Sequence, residues 1–280
     1  MEIFNDSAWQ MTLGERAAVE GILVQRKPEL AIAIGIGDGG SLHRIAAHSE
    51  QVHSFEPTSP PASAAELSNV THHTGDWHQL LTPLLKELAE KEQNVDFVLV
   101  EGDAANGVRH DLDGLLSSPA LADTVILVHN TANEQVRAGA DAVRYAAYPK
   151  VAHVNLDFVP GYLLREPDRA HELWGGLGLV VVDATRTAYF PARPVIEDRY
   201  YEVGHLYPEI RDLVAARERG KPTSPAEARG QRKLLGELAV ARNERDHYKE
   251  LYESVVGSAS WRLTAPLRAA KSGARAKSGS

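Results

Sequence analysis

Cysteine is absent from the 280 residues of this chain, which excludes disulfide bonds and metal sites built on thiolates. No apolar run approaches the roughly 20 residues that a membrane-spanning helix needs, and the first residues lack the basic start and apolar core of a secretory signal. The formal net charge of -8 gives no electrostatic reason for binding nucleic acid. We therefore expect a cytoplasmic protein that neither spans a membrane nor binds nucleic acid.

Histidine is frequent, with 12 residues, but its spacing does not match a zinc motif. His72, His73 and His78 are close in sequence, yet no HExxH-type pair with a third ligand is present. From the sequence, a zinc site is therefore not expected in this chain.

Apolar segments of strand length alternate with segments of helical periodicity through the first two thirds of the chain. The seven predicted strands are LAIAIGI, QVHSFEP, NVTHHTGD, VDFVLVEGD, DTVILVHN, VAHVNL and LGLVVVD. Helices predicted between them, such as 77–91 and 132–148, favour a parallel sheet covered on both faces. No long helix separates the last two strands, so the last one should run antiparallel. The predicted fold class is α/β, a Rossmann-like, doubly wound, mostly parallel seven-stranded sheet with a C-terminal helical extension.

A cluster of glycines follows the first predicted strand, in the stretch AIGIGDGGS. Gly35, Gly37 and Gly40 have the spacing GxGxxG, and a helical segment begins directly after them. Glycine lets the backbone approach a ligand closely, and the start of a helix supplies free amide groups. The cluster predicts a site for a nucleotide-like cofactor, and its spacing alone does not separate a dinucleotide from other cofactors of this kind.

Two acidic residues stand where the next two strands end. Glu56 closes the second strand, 19 positions after Gly37, where a carboxylate can accept hydrogen bonds from both ribose hydroxyls of a nucleoside. Asp76 follows the third strand and either accepts a hydrogen bond from an adenine amino group or caps the helix that begins near Trp77, and the two roles are compatible. A nicotinamide dinucleotide fold does not need Asp76, so its presence favours a different cofactor.

Polar residues also follow the fourth and fifth strands, at the edge where open α/β sheets bind ligands. These residues are Glu101, Asp103, His129 and Asn130. One interpretation is a Mg²⁺ site formed by Glu101, His129 and Asn130. A second is that His129 is a general base, because the ordinary pKa of histidine lies near neutrality, and a third is that it only satisfies hydrogen bonds at a strand end.

The composition changes beyond about residue 189. The stretch KPTSPAEARGQ is rich in proline and serine and predicts a linker. Apolar residues spaced by four and three then predict a helix that either packs on its own domain or associates with a second copy of the chain. The last 20 residues carry five basic and no acidic side chains, which predicts a disordered tail with at most weak contact to an anionic membrane surface. The predicted divisions are 1–200 (sheet domain), 201–230 (connector), 231–257 (amphipathic, coiled-coil-like helix) and 258–280 (basic tail).

Five motifs, in this order and at these intervals, resemble those of class I S-adenosylmethionine-dependent methyltransferases: IAIGIGDGGS, VHSFEP, HTGDWHQLL, VDFVLVEGD and VILVHNT. The nearest branch is the small O-methyltransferase group with the motifs EIG…GGS, IDGDH and FHDT. The resemblance extends over about residues 12–185. It implies a methyltransferase domain at 1–200 and S-adenosylmethionine as the cofactor.

The resemblance also implies roles for individual residues. Its cofactor-binding set is Gly35, Gly37, Gly39, Glu56, Asp76, Trp77 and Glu101. In this set the glycines wrap the methionine part, Glu56 holds the ribose hydroxyls, and Asp76 with Trp77 borders the adenine. In metal-dependent relatives, a carboxylate at the place of Glu101 and an acidic pair at positions 129 and 130 hold Mg²⁺.

Three positions depart from the family pattern. The acid expected two positions before the first glycine is Ala33, which removes one anchor for the amino group of the cofactor. The Asp of HDT is Asn130, which removes a charge from any metal site. The motif DGDH has become EGDA, so Ala104 stands where the family has histidine.

The stretch GSASWRLTAPLRAAK near the C-terminus resembles tails of bacterial glycosyltransferases and methyltransferases of cell-surface polysaccharide synthesis. This second resemblance implies a sugar hydroxyl on a glycan as the acceptor. The basic charge of the last residues is the reason to expect a cytoplasmic enzyme peripheral at the inner face of the membrane.

The first functional hypothesis is therefore an O-methyltransferase that acts on a sugar hydroxyl. His129 would take the proton of the hydroxyl, with Glu101 or Asp103 as alternates. The residues that would line the acceptor side, by their position after the sixth strand, are His153, Asp157 and Tyr162.

Two other functions stay open. An NAD(P)-dependent oxidoreductase would also use the GxGxxG spacing and Glu56, although the sequence has no Tyr-x-x-x-Lys pair for its catalysis and leaves Asp76 unexplained. A non-catalytic, methyltransferase-like scaffold of a glycan assembly complex is suggested by Ala33 and Asn130.

Overall fold

The computed structural model describes residues 9–101, 105–164, 172–186 and 207–219. The helices are α1 (Leu13–Arg26), α2 (Gly40–His48), α3 (Ala62–Ala65), α4 (Trp77–Glu90), α5 (Ala105–Ser117), α6 (Glu134–Asp141) and α7 (Tyr207–Arg219). The strands are β1 (Leu30–Ile34), β2 (Gln51–Glu56), β3 (Val70–Thr74), β4 (Phe97–Val100), β5 (Asp123–His129), β6 (Val151–Val159), β7 (Tyr162–Leu163), β8 (Leu173–Trp174) and β9 (Leu177–Asp183).

Seven strands form one sheet in the order β3-β2-β1-β4-β5-β9-β6. The first five pair in parallel, whereas β9 runs antiparallel to both of its neighbours. This arrangement confirms the predicted fold class, including the reversed last strand. The direction of winding switches between β1 and β4, which lie side by side, and ligands of open α/β sheets bind at such a switch point.

Helices cover both faces of the sheet, as the alternation of strands and helices predicts. Strand β1 is buried along its whole length, and its side chains alternate between two apolar cores. Leu30, Ile32 and Ile34 belong to the core beneath α4, α5 and α6. Ala31 and Ala33 belong to the core beneath α1, α2 and α3. Burial of each large apolar side chain contributes about 1.5–3 kcal/mol, so the two cores fix the strand ends that carry the candidate site.

The helix predicted over 132–148 is shorter in the structure. Helix α6 begins after Asn133, whose side-chain oxygen accepts a hydrogen bond from the amide of Gln135 at 3.0 Å. A separate turn of 3₁₀-helix follows at Tyr145–Ala147. The hydroxyl of Tyr145 donates to the carbonyl oxygen of Ala140 at 3.0 Å, which satisfies a carbonyl group in the last turn of α6. A single apolar periodicity across both segments concealed this break.

The N-terminal helix α1 is not among the helices predicted from the sequence. It begins with a capping box: the amide of Glu15 donates to the side chain of Thr12 at 3.3 Å, and the carboxylate of Glu15 accepts from the amide of Thr12. This motif fixes the position of Glu15, which becomes important in the candidate site.

Much of the predicted C-terminal organisation lies outside the described residues. Helix α7 falls within the segment 201–230 that was predicted as a connector. The predicted helix 231–257 and the predicted basic tail 258–280 are outside the described ranges and stay predictions. Within the described parts of the chain, no helix is both long enough and apolar enough to cross a membrane.

Candidate active site

The loop after β1 adopts a backbone conformation that favours glycine. Gly35, Gly37 and Gly39 have φ angles of 73°, 49° and 87°. At Gly35 a side chain would also be crowded, since a Cβ atom would lie 3.0 Å from the carbonyl oxygen of Glu101. The close approach follows from the pairing of Ile34 with Val100, which places the residues after β1 and β4 side by side.

The start of α2 is covered by the chain segment before α1. A Cβ atom on Gly40 would lie 2.4 Å from the backbone of Trp9, so only glycine permits this approach. Trp9 is buried, and the guanidinium group of Arg16 lies 5.5 Å from the centre of its ring. The hydroxyl of Ser41, in the first turn of α2, donates to the carboxylate of Glu101 at 3.0 Å. A carboxylate therefore already faces the positive end of the dipole of this helix.

Glu56 lies at the other side of the glycine loop, as predicted for a ribose-binding carboxylate. Its Oε1 atom accepts a hydrogen bond from the amide of Ile36. Burial raises the pKa of Glu56 to about 7, the negative charge of Glu101 adds to this, and the bond from Ile36 opposes it. A carboxylate with a raised pKa at a cofactor loop is a candidate for a charge-bearing ligand.

Asp76 and Trp77 lie next to Glu56 because the amide of Gly75 donates to the carbonyl oxygen of Glu56 at 2.8 Å. Asp76 is exposed and caps α4 by accepting a hydrogen bond from the amide of His78 at 3.1 Å. The capping role of Asp76 is thus present in the structure, and its contact with an adenine stays a prediction. The indole nitrogen of Trp77 donates to Asp111 rather than to solvent.

His129, at the end of β5, meets a buried carboxylate that the sequence reasoning missed. The Oε1 atom of Glu15 lies 3.6 Å from Nε2 of His129, and Glu15 is completely buried. The separation is that of an ion pair rather than of a hydrogen bond. The same carboxylate accepts hydrogen bonds from the amides of Gly176 and Thr12.

Glu15, Glu101 and His129 interact electrostatically as one group. Burial alone would lower the pKa of His129, but the carboxylates of Glu15 and Glu101 outweigh it and raise that pKa. Burial raises the pKa of Glu101, which His129 opposes and Glu15 reinforces. The pKa of Glu15 shifts in the opposite direction to that of Glu101. Burial would raise it, but the interactions with His129 and Thr12 outweigh burial and lower it. The two carboxylates thus oppose the effect of burial and favour the charged form of His129.

The sequence did contain a signal for Glu15. The stretch TLGE fits the capping-box pattern, which predicts a helix start at this position. It could not show that the carboxylate reaches a residue 114 positions later in the chain, because that contact depends on how α1 packs on the sheet.

Asn130 has a structural role in this arrangement. Its φ angle is 66°, a left-handed conformation that asparagine tolerates better than most residues. Its amide donates to the carbonyl oxygen of Gly176 at 2.8 Å, and its side-chain oxygen accepts from the amide of Gly175 at 2.6 Å. Asn130 and Glu15 therefore hold the turn at Gly175 and Gly176 from two sides. Asp103, the alternate base, lies outside the described residues.

The three residues predicted for the acceptor side have different surroundings. Asp157 forms a bidentate ion pair with Arg137 of α6, with N–O distances of 2.8 and 3.2 Å. The ring of Tyr162 packs on Gly175, close to the carboxylate of Glu15. His153 is half-buried in β6. Tyr162 is thus placed beside Gly175 and the carboxylate of Glu15, the partner of His129.

The neighbouring histidines that were considered for zinc contact different partners. A ring nitrogen of His72 lies 2.7 Å from the hydroxyl of Ser54, and one of His73 lies 2.9 Å from a ring nitrogen of His53. His78 lies on α4 and contacts Asp111 instead, with 3.1 Å between Nδ1 and Oδ1.

Comparison of the sequence with protein-family models finds no match, and comparison with curated proteins finds none either. Solved structures do match. A putative O-methyltransferase from Klebsiella pneumoniae is 17% identical over 63% of this chain and 83% of that chain, with a TM-score of 0.45. An O-methyltransferase from Bacillus cereus in complex with SAH is 16% identical over 65% and 86%, with a TM-score of 0.43. The O-methyltransferase of tomaymycin synthesis from Streptomyces achromogenes, in complex with SAM, is 16% identical over 65% and 85%, with a TM-score of 0.44. Likeness at this level concerns the fold, and one fold hosts many activities, so the function has to be argued from the site.

Proposed function

We propose that this chain is an S-adenosylmethionine-dependent O-methyltransferase. The observation that carries the proposal is the pair of carboxylates, Glu56 and Glu101, that flank the glycine loop. Burial raises the pKa of both, and each would be easier to ionise next to a positive charge. S-adenosylmethionine carries positive charge on its sulfonium and its amino group, and it supplies an electrophilic methyl group.

The same feature argues against the oxidoreductase alternative. In a dinucleotide-binding fold, the pyrophosphate lies at the start of the helix that follows the glycines. Here Ser41 holds the carboxylate of Glu101 at that helix start, and the segment around Trp9 covers Gly40. An anionic pyrophosphate would meet like charge at this place.

Different residues of the chain would contact different parts of the cofactor. The loop of Gly35, Gly37 and Gly39 leaves its backbone accessible to the methionine part, since Gly37 is exposed and, apart from its chain neighbours, no described residue has an atom within 4 Å of its Cβ position. Glu56 would accept hydrogen bonds from the ribose hydroxyls. Asp76 and Trp77, held beside Glu56 through Gly75, would border the adenine.

His129 is the group that we assign to the proton of the acceptor hydroxyl. Nε2 of His129 faces the carboxylate of Glu15 at 3.6 Å, which favours the tautomer with its proton on Nε2 and leaves Nδ1 as the basic nitrogen. Glu15 is a positioning residue that orients the ring and stabilises the imidazolium formed when the proton is taken. Glu101 and Asp103 are alternates. Because the imidazole must be neutral to act as base, and its pKa lies above its ordinary value, turnover should rise with pH through that raised pKa.

We further propose that the acceptor of the methyl group is a sugar hydroxyl. The resemblance of the C-terminal stretch to tails of polysaccharide enzymes supports a sugar hydroxyl on a surface glycan. The ring of Tyr162 packs on Gly175 beside the carboxylate of Glu15, the partner of His129. This position supports the proposal that the acceptor binds on the Tyr162 side of His129. A cytoplasmic enzyme at the inner membrane face, with self-association through the predicted helix 231–257, belongs to the same proposal.

Magnesium at Glu101, His129 and Asn130 stays a prediction, and two features of the site weigh against it. The side-chain oxygen of Asn130 already accepts a hydrogen bond from Gly175. Nε2 of His129 faces the buried carboxylate of Glu15 at 3.6 Å, and this pairing raises the pKa of the ring and so opposes its use as a metal ligand. We therefore propose that methyl transfer by this site does not require Mg²⁺.

The experiment is transfer of a radiolabelled methyl group from S-adenosylmethionine to a panel of sugars, nucleotide sugars and lipid-linked glycans, with a catechol for comparison. Transfer to a sugar hydroxyl that persists in excess EDTA supports the proposal in full. Transfer only to the catechol would remove the glycan assignment, and activity abolished by EDTA would remove the metal-free one. Binding of S-adenosylmethionine without transfer to any acceptor would favour the scaffold alternative.

A further inference from the structure

Two histidines and a buried aspartate meet between α4 and α5, in a cluster separate from the glycine loop. His78 lies in the first turn of α4, and His110 and Asp111 are consecutive on α5. One ligand atom of each side chain lies within 4.8 Å of the others. The rings of His78 and His110 meet edge to face, with 4.5 Å between their centres.

Asp111 is completely buried, and only one of its two carboxylate oxygens has a hydrogen-bond partner among the described residues. Its Oδ1 atom accepts a hydrogen bond from the indole of Trp77 at 3.2 Å and lies 3.1 Å from Nδ1 of His78. Within the described parts of the chain, its Oδ2 atom has no hydrogen-bond partner, and the buried Nδ1 atom of His78 has none in bonding geometry. Buried polar atoms are almost always partnered, so these two atoms indicate a ligand.

We propose that His78, His110 and Asp111 bind a divalent transition-metal ion, with Zn²⁺ as the best match. Two imidazoles and one carboxylate, with a further position open to water, form a ligand set that Zn²⁺ uses in proteins. Metal–ligand bonds of about 2.0–2.2 Å bring tetrahedral ligand atoms to roughly 3.3 Å from one another, so the cluster needs only a modest contraction. Mg²⁺ and Ca²⁺ prefer oxygen ligands and are not expected here.

The cluster is accessible from one side. His110 is exposed, so its ring can turn towards an ion without moving the core. It also lines an open pocket of about 470 Å³, together with Arg109 and Asp113, which pair with each other at 3.5 Å. The pocket therefore gives solvent access to the ring of His110, the exposed member of the cluster.

A bound ion would link α4 to α5 and compensate the charge of Asp111. The effect would extend to the start of α4, because Trp77 shares the same carboxylate. The site does not depend on the methyltransferase proposal, and either can fail without the other.

The experiment is calorimetric titration of the full chain, without a histidine tag, with Zn²⁺ and separately with Co²⁺, whose visible spectrum reports its coordination. The test variant is His110→Gln, since an exposed side chain can change without loss of the fold. Asp111→Asn keeps the shape of the buried residue and removes its charge. The matched control is His73→Gln, which removes one histidine of the His53–His73 pair, whose ring nitrogens are 2.9 Å apart.

We expect one equivalent of Zn²⁺ to bind, with affinity at least tenfold weaker in His110→Gln and in Asp111→Asn and unchanged in His73→Gln. The thermal midpoint should rise with Zn²⁺ in the unchanged chain and in His73→Gln, and EDTA should reverse the rise. Equal affinity in His110→Gln and the unchanged chain would overturn the proposal. Loss of binding in His73→Gln alone, or no binding of either metal, would overturn it as well.

Discussion

Replacement of Glu56 by glutamine should change the pH dependence of folding stability. In the folded protein, burial raises the pKa of Glu56 from its ordinary value of 4.5 to about 7. The folded state therefore binds this proton more tightly than the unfolded chain does. The contribution of Glu56 to the free energy of unfolding is largest below about pH 4.5, falls as the pH rises to about 7, and is constant above that.

The size of this effect follows from the two pKa values. The gap between 4.5 and about 7 corresponds to roughly 3 kcal/mol if it is fully expressed. Because the carboxylate keeps partial contact with solvent, we discount this to about 1–2 kcal/mol. Glutamine can still accept the hydrogen bond from Ile36 but cannot ionise, so Glu56→Gln should remove the loss of stability at high pH.

The assay is urea unfolding of the unchanged chain and of Glu56→Gln at pH 5 and at pH 8. Between these two pH values, the variant should gain about 1–2 kcal/mol of stability relative to the unchanged chain. Glu50→Gln, an exposed glutamate directly before the same strand, is the matched control and should gain nothing. If Glu56→Gln behaved like Glu50→Gln, Glu56 would ionise without cost, and the argument for a site that favours a cation would lose its basis.

Three further predictions concern the loop and the base. Gly35→Ala should destabilise the chain by at least about 1–2 kcal/mol in urea unfolding because the φ angle of Gly35 is positive. The control Gly21→Ala, on α1, should be neutral or slightly stabilising. Equal effects of the two substitutions would contradict the strain argument. Glu15→Gln should lower the pKa of His129 in an NMR titration, since it removes a negative charge 3.6 Å from the ring, and Glu20→Gln on the same helix should leave it unchanged; an unmoved pKa in Glu15→Gln would refute the coupling. His129→Gln should lower turnover by about 10²–10⁴-fold with little change in cofactor affinity, and equal losses in both would assign His129 to structure.

The sheet could be predicted from the sequence because its signals are local. Strands such as β1 are continuous apolar runs, and the missing helix before β9 was enough to predict its reversed direction. The end of α6 could not be read in the same way. It depends on a side chain, Tyr145, that caps the helix and begins a new turn.

The sequence predicted only those residues of the candidate site that lie at the end of a predicted strand. Glu56 and His129 are the last residues of their strands and Gly35 follows β1 directly, so the fold class alone brings them to one edge of the sheet. Glu15 and the pairing of Asn130 with Gly175 could not be predicted, because they join segments far apart in sequence through the packing of α1 and a loop. The same holds for the His78, His110 and Asp111 cluster. Its members are on two helices, and none of the spacings among them matches a known metal motif.

The central claim is that the glycine loop of this chain binds a cationic adenosine cofactor and not a dinucleotide. The most direct test is calorimetric titration of the full chain at pH 8 with S-adenosylmethionine, S-adenosylhomocysteine, NAD and NADP, each with and without Mg²⁺. We expect one equivalent of either adenosine ligand to bind, without dependence on Mg²⁺ and more weakly in Glu56→Gln. Both dinucleotides should bind at least tenfold more weakly. Binding of NAD or NADP without binding of S-adenosylhomocysteine would contradict it.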